Sequence, residues 1–191
     1  MFTKQLNIQK RKFFKPALML FLAAGLLSSC DNNDEEAPEN EEELITTVSL
    51  LMQEAGTSNI VTATFRDPDG EGGNAPTKFD EIVLKPNTVY NTTVVLLNES
   101  VTPAEDITEE VEEEADDHQF FYTPTSGLNV TVAYNDKDSK NLPVGLSTRI
   151  TTGAASTGKL KVTLKHQPGT KNNNMASGET DVELDFTTKV Q

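Results

Sequence analysis

Tryptophan is absent from the chain, cysteine occurs once and histidine only twice. Without tryptophan, and with only three tyrosines (Tyr90, Tyr122 and Tyr134), there is little from which to build a platform for stacking sugar rings. The lone cysteine, Cys30, excludes an intrachain disulfide, so an exported domain of this sequence must be held by its core or by ions. Basic residues are scarce, with 16 lysines and arginines against 30 aspartates and glutamates, a net charge of −14. Nucleic acid and anionic lipid surfaces both require a basic patch, so neither is an electrostatic partner. The apolar run ALMLFLAAGLL at residues 17–27 has eleven residues, too few for a bilayer span of about 20. Catalytic signatures are also missing: there is no phosphate loop, no HExxH and no Ser-His-Asp arrangement with a recognisable elbow. Carboxylates are plentiful enough for a glycosidase pair, but the lack of a sugar-stacking platform argues against one, and the chain reads as a non-enzyme.

What is present begins with a targeting segment. Lys4, Lys10, Arg11, Lys12 and Lys15 form a basic head before the apolar run, which ends in LSSC at residues 27–30. That tetrapeptide resembles the bacterial lipobox, in which the cysteine is lipidated and becomes the first residue of the mature protein. The expected organisation is a signal peptide over residues 1–29, then Cys30 with an acidic tether to residue 43, then one domain over 44–191. A lipoprotein cysteine of this kind carries two or three acyl chains, enough for stable membrane attachment where one chain is marginal. The tether, DNNDEEAPENEEE, has eight acids and almost nothing apolar, so it cannot bury enough surface to order itself. From Cys30 onward the charge is −19, from 11 basic and 30 acidic residues. Eight of those acids lie in the tether and nine in residues 105–117, leaving thirteen acids against eleven bases elsewhere. The sensible counterpart for two acidic blocks is a cation or a basic partner surface.

The body is strand-rich. Nine segments (43–53, 59–67, 79–85, 88–98, 118–123, 128–134, 146–152, 159–166 and 180–190) are rich in β-branched residues or alternate apolar with polar ones. In KLKVTLKH, Leu160, Val162 and Leu164 face one way and the lysines and Thr163 the other, which is the pattern of an antiparallel sheet with one wet face. Short Gly, Asn, Asp and Pro turns between such strands imply an all-β fold, expected here as an immunoglobulin-like antiparallel β-sandwich without a disulfide.

One segment reads differently. In TPAEDITEEVEEEADDHQFF, residues 102–121, Thr102 suits an N-cap, Pro103 the first helical position and Glu105 a capping box. Ala104, Ile107, Val111 and Ala115 form an apolar stripe that His118 continues, predicting a short acidic helix docked along the domain. Acids crowd its C-terminal half, where the helix dipole favours cations. Glu114, Asp117 and His118 fall within about 100° of one helical face and are candidate ligands for a divalent transition metal. The alternatives are a solvated acidic face with His118 at the stripe's edge, or His118 held as imidazolium by the helix terminus. A second candidate is DPDGEGGN at residues 67–74, where Asp67, Asp69 and Glu71 alternate around a glycine turn as hard-oxygen ligands for Ca²⁺ would. Asp-Pro-Asp-Gly is equally a good turn sequence. In NDKDSKN, residues 135–141, Lys137 and Lys140 argue against an ion. His166 ends a strand in KHQPG, and it would share a site with His118 if their two strands were neighbours.

LSSC with its acidic tether, DPDGEGGN, ITEEVEEEADDHQFF, TTGAASTGKLKVTLKHQPG and GETDVELDF together resemble a family of small Bacteroidota lipoproteins of unassigned activity. The acidic residues after Cys30 also resemble the surface-export signal of such lipoproteins. The resemblance implies one β-rich domain, lipid-anchored in the outer membrane on the cell surface or the periplasmic face. It further implies an accessory role in nutrient or metal-ion uptake beside a TonB-dependent outer-membrane receptor, and it transfers no catalytic residue. The alternative is a structural or adhesion module whose acidic helix steers a basic protein partner.

Overall fold

The computed structural model describes residues 43–191 other than Glu71, and Cys30, the targeting segment and most of the acidic tether lie outside the described residues. The alternating segments become strands with little change of boundary. In chain order they are β1 (Thr47–Glu54), β2 (Ile60–Arg66), β3 (Lys78–Phe79), β4 (Ile82–Leu84), β5 (Val89–Asn98), β6 (Glu105–Asp106), helix α1 (Ile107–Glu113), β7 (His118–Pro124), β8 (Val130–Tyr134), β9 (Ser147–Thr152), β10 (Ser156–His166) and β11 (Glu179–Val190). One sheet runs β3-β2-β1-β5-β9-β8, with β6 added to β5, and the other runs β4-β11-β10-β7. Every pair is antiparallel except β4 with β11. The β-sandwich expected from the strand pattern is what forms.

The core lies between the two sheets. Val48, Leu50 and Met52 of β1 and Leu96 of β5 face Phe120 of β7, Val162 and Leu164 of β10 and Phe186 of β11, all at 0 % exposure. Each such side chain contributes about 1.5–3 kcal/mol on leaving water. That burial replaces the disulfide the chain cannot make.

Two local expectations change. Residues 79–85, predicted as one strand, divide between the sheets: β3 pairs with β2, whereas β4 joins β11. Asp80 causes the break, because its main-chain N–H donates to the Thr64 carbonyl and its carboxylate accepts from the Thr64 N–H. Past it, Ile82 and Leu84 turn into the core. The helix begins at Ile107 rather than near Pro103, with Asp106 as N-cap accepting from the Thr108 N–H at 2.9 Å. Glu105 and Asp106 instead pair with Asn98 and Leu97 of β5, so the sheet takes the backbone groups a longer helix would have used. Ala104 is exposed, and Ile107 and Val111 alone carry the helix's fully buried stripe.

Candidate metal centre

β7 and β10 are neighbours, and their register sets His118 opposite His166. Both share the inward parity of Phe120 and Leu164, so both imidazoles point between the sheets, at 0 % and 6 % exposure. Their rings stack with centroids 4.4 Å apart and planes within 8°. Glu43, the last residue of the acidic run, brings its side chain into the same space at 4 % exposure, with Oε1 2.9 Å from His118 Nε2. Glu114 approaches from the end of α1, its Oε2 3.9 Å from His118 Nδ1 and its side chain half exposed. Ligand atoms from Glu43, Glu114, His118 and His166 all lie within 4.8 Å of one another.

The helix end determines the state of His118. The Glu114 carbonyl, at the C-cap of α1, accepts from the main-chain N–H groups of Asp117 and His118 and faces His118 Nδ1 at 3.2 Å. A carbonyl only accepts, so Nδ1 carries the hydrogen. Nε2 then confronts a carboxylate oxygen at 2.9 Å, and two acceptors at that distance need a proton or a metal cation between them. Buried Glu43 Oε2, His118 Nε2 and His166 Nδ1 form no directed hydrogen bond among the described residues. Burial opposes charge on the imidazole, yet the Glu43 carboxylate, the Glu114 carbonyl and the charge of Asp181 hold the His118 pKa above its ordinary value. Burial likewise opposes charge on Glu43, and His118 nevertheless holds it below the usual carboxylate range. Glu110 lies in the same negative field; burial and the charges of Glu43, Glu114 and Glu105 push its pKa up.

This donor set, two imidazoles and two carboxylates, suits a divalent transition ion. The Nδ1–H of His118 on a carbonyl is the orienting contact a ligating histidine needs, leaving Nε2 for the ion. Tetrahedral ligation at 2.0–2.2 Å places ligand atoms about 3.4 Å apart, so the widest spacings in the cluster, up to 4.8 Å, must close by up to about 1.4 Å. Imidazole lone pairs also lie in the ring plane, so parallel rings cannot both address one ion until one tilts out of the stack.

Asp117, expected beside Glu114 and His118, stands outside the cluster. Its Oδ1 accepts from the Gly169 N–H at 3.1 Å and its carbonyl from the Gln167 N–H at 2.6 Å, so it ties down the loop after β10. That loop folds over His166, where Gly178, at φ +69°, sits so close that a Cβ added to it would lie 2.1 Å from the His166 carbonyl oxygen. Glu43 and His166 complete the cluster. Their signal in the sequence was limited to a terminal acid before β1 and a histidine of core parity closing β10.

The second candidate loop also has a defined shape. Asp67 and Gly70 close a turn, the Gly70 N–H donating to the Asp67 carbonyl at 3.2 Å with Gly70 at φ +74°. Asp69 Oδ2 accepts from the Asn74 main-chain and side-chain N–H groups at 2.8 and 2.7 Å. Asp67 is buried, and Glu71 lies outside the described residues. In NDKDSKN the carboxylates serve the backbone: Asp136 accepts from Gly145 and Ser147, and Asp138 from Lys140 and Leu142.

No protein-family model matches the chain, and no curated protein or solved structure is detectably similar to it, so the site's own chemistry has to carry the functional reading.

Proposed function

We propose that this protein is a non-enzymatic lipoprotein, anchored in the outer membrane through Cys30, whose β-sandwich binds a divalent transition-metal ion at Glu43, Glu114, His118 and His166. The role is accessory to nutrient or metal-ion uptake, with a TonB-dependent receptor as the partner implied by the lipoprotein resemblance. One observation carries the binding reading: both nitrogens of His118 face acceptors, the Glu114 carbonyl and the Glu43 carboxylate, so the site requires a positive charge at Nε2. In the metal-free protein that charge is a proton, and an arriving ion displaces it. Affinity must therefore fall in acid, because the ligating histidine has to be neutral.

The test is Zn²⁺ and Co²⁺ titration of the mature chain carrying Cys30→Ser, which removes the competing thiol. The expected result is one ion per chain, a raised melting temperature and weaker binding at pH 5.5 than at pH 7.5. His166→Gln, which keeps a polar side chain of similar size, should abolish the effect, and Glu114→Gln should weaken it. Unchanged melting with Zn²⁺, Co²⁺, Ni²⁺, Cu²⁺ and Fe²⁺ would overturn the reading. A salt-sensitive protein partner without any metal effect would point to adhesion instead.

A further inference from the structure

We propose that the turn at Asp67 and Asp69 is a second cation site, built for a hard divalent ion such as Ca²⁺. Asp67 is only 8 % exposed, and its Oδ1 is buried without a hydrogen-bond partner among the described residues. Asp69 lies two residues along the same turn, and the two carboxylates are close enough for each to perturb the other's charge. Among the described residues, no lysine, arginine or histidine forms an ion pair with either. A buried carboxylate oxygen without a donor, beside a second carboxylate, is stabilised by a proton or a cation.

The surroundings favour an ion over a trapped proton. Asn74 holds Asp69 Oδ2 from two sides, which fixes the direction of that carboxylate. Asp67 and Gly70 line a cleft of about 540 Å³ between the sheets, together with Asp181 and Glu183, so there is room for an ion and its waters. Asp181 is the extra residue of a bulge in β11: Leu164 faces Val182 while Lys165 faces Thr180. Bulges re-aim side chains, and this one adds a carboxylate to the cleft wall. Every one of these side-chain donors is oxygen, which selects a hard cation over the borderline ions that imidazole prefers.

Calcium calorimetry on the mature chain carrying Cys30→Ser and His166→Gln tests this, because the histidine cluster cannot then contribute. One Ca²⁺ per chain is expected, with affinity at least tenfold weaker in Asp67→Asn. Asp69→Asn should also weaken it. Asparagine is nearly isosteric, and circular dichroism would verify folding; the wild-type chain provides a separate readout, a melting temperature raised by millimolar Ca²⁺. Absence of both binding heat and melting shift with Ca²⁺ and Mg²⁺ would overturn the proposal, leaving a shared proton. Calcium binding indifferent to both aspartate variants would overturn it too, by placing the ion elsewhere.

Discussion

Replacing Lys171 with methionine should lower the melting temperature of the domain by about 6–12 °C. Lys171 Nζ lies 2.9 Å from Asp138 Oδ2 with both side chains at 0 % exposure, and it also donates to the Ala115 carbonyl at 2.7 Å. Methionine keeps the apolar stem but strands a buried carboxylate and removes the donor at the helix end. Breaking a buried pair from one side costs about 3–5 kcal/mol. The lower end applies here, since the partners sit on two loops that can shift to admit water. For a domain of this size each kcal/mol moves the melting temperature by about 2–4 °C. Calorimetry should show a second signature. In the native protein, burial opposes the Asp138 charge, but Lys171 and the Leu142 and Lys140 N–H groups hold the pKa below the usual range. That contribution is present above the ordinary carboxylate pKa and is lost as pH falls through the depressed one. In Lys171→Met the uncompensated carboxyl should titrate high instead, so acid should partly restore stability. Adding Asp138→Asn, whose Oδ1 can still accept from Lys140 and Leu142, should recover much of the loss. A deficit below about 1 kcal/mol, the range of an exposed pair, or a double variant no better than the single, would refute this reasoning.

The metal-free histidine cluster should also leave a mark on stability. The raised His118 pKa gives a contribution that is full below about pH 6.5 and lost as pH climbs through the folded value, whereas the lowered Glu43 pKa gives one that is full above about pH 4.3 and lost as pH drops through the folded value. With Glu43, Glu114, Asp181 and His166 around the ring, the pair should help most between those limits. Melting curves in chelator at pH 5.5 and 8.5 should show a loss that His118→Gln removes, and equal pH dependence in both proteins would contradict it. Gly178→Ala should cost well over 2 kcal/mol, because its Cβ meets the His166 carbonyl at 2.1 Å in a left-handed backbone. Gly169, at φ +63° with open space around it, provides the control, and Gly169→Ala should cost only about 1–2 kcal/mol. Equal urea midpoints for the two variants would show that the contact over His166 is not what constrains Gly178.

Much of the architecture was legible because it rests on period. Leu160, Val162 and Leu164 are buried as their alternation predicts, but Thr163 and Lys165, expected on the wet face, are buried too. The loop after β10 covers that end of the strand, and Lys165 Nζ donates to the Gly178 carbonyl and the Thr180 hydroxyl. The helix was legible in existence but not in its start, because Glu105 and Asp106 had a competing use as a strand beside β5. The break at Asp80 was hidden for a similar reason, since a side chain that accepts a ladder hydrogen bond looks like any polar residue in an extended run. For the cluster, Glu114 and His118 were visible at helical spacing, but Asp117 was drawn into the loop after β10.

By itself the sequence determined the strand alternation, the segregation of negative charge into two blocks and the dependence on a core without disulfides, since each follows from local order and composition. Only the tertiary structure decided that His118 and His166 meet. Their strands are far apart in the chain, and side chains alternate with a period of two, so one residue of slip between β7 and β10 would break the pairing. The observed register sets both rings inward and stacked, and the segment entering β1 then carries Glu43 to His118 Nε2. A buried imidazole between a carbonyl and a carboxylate is a property of that register, which no local pattern contains.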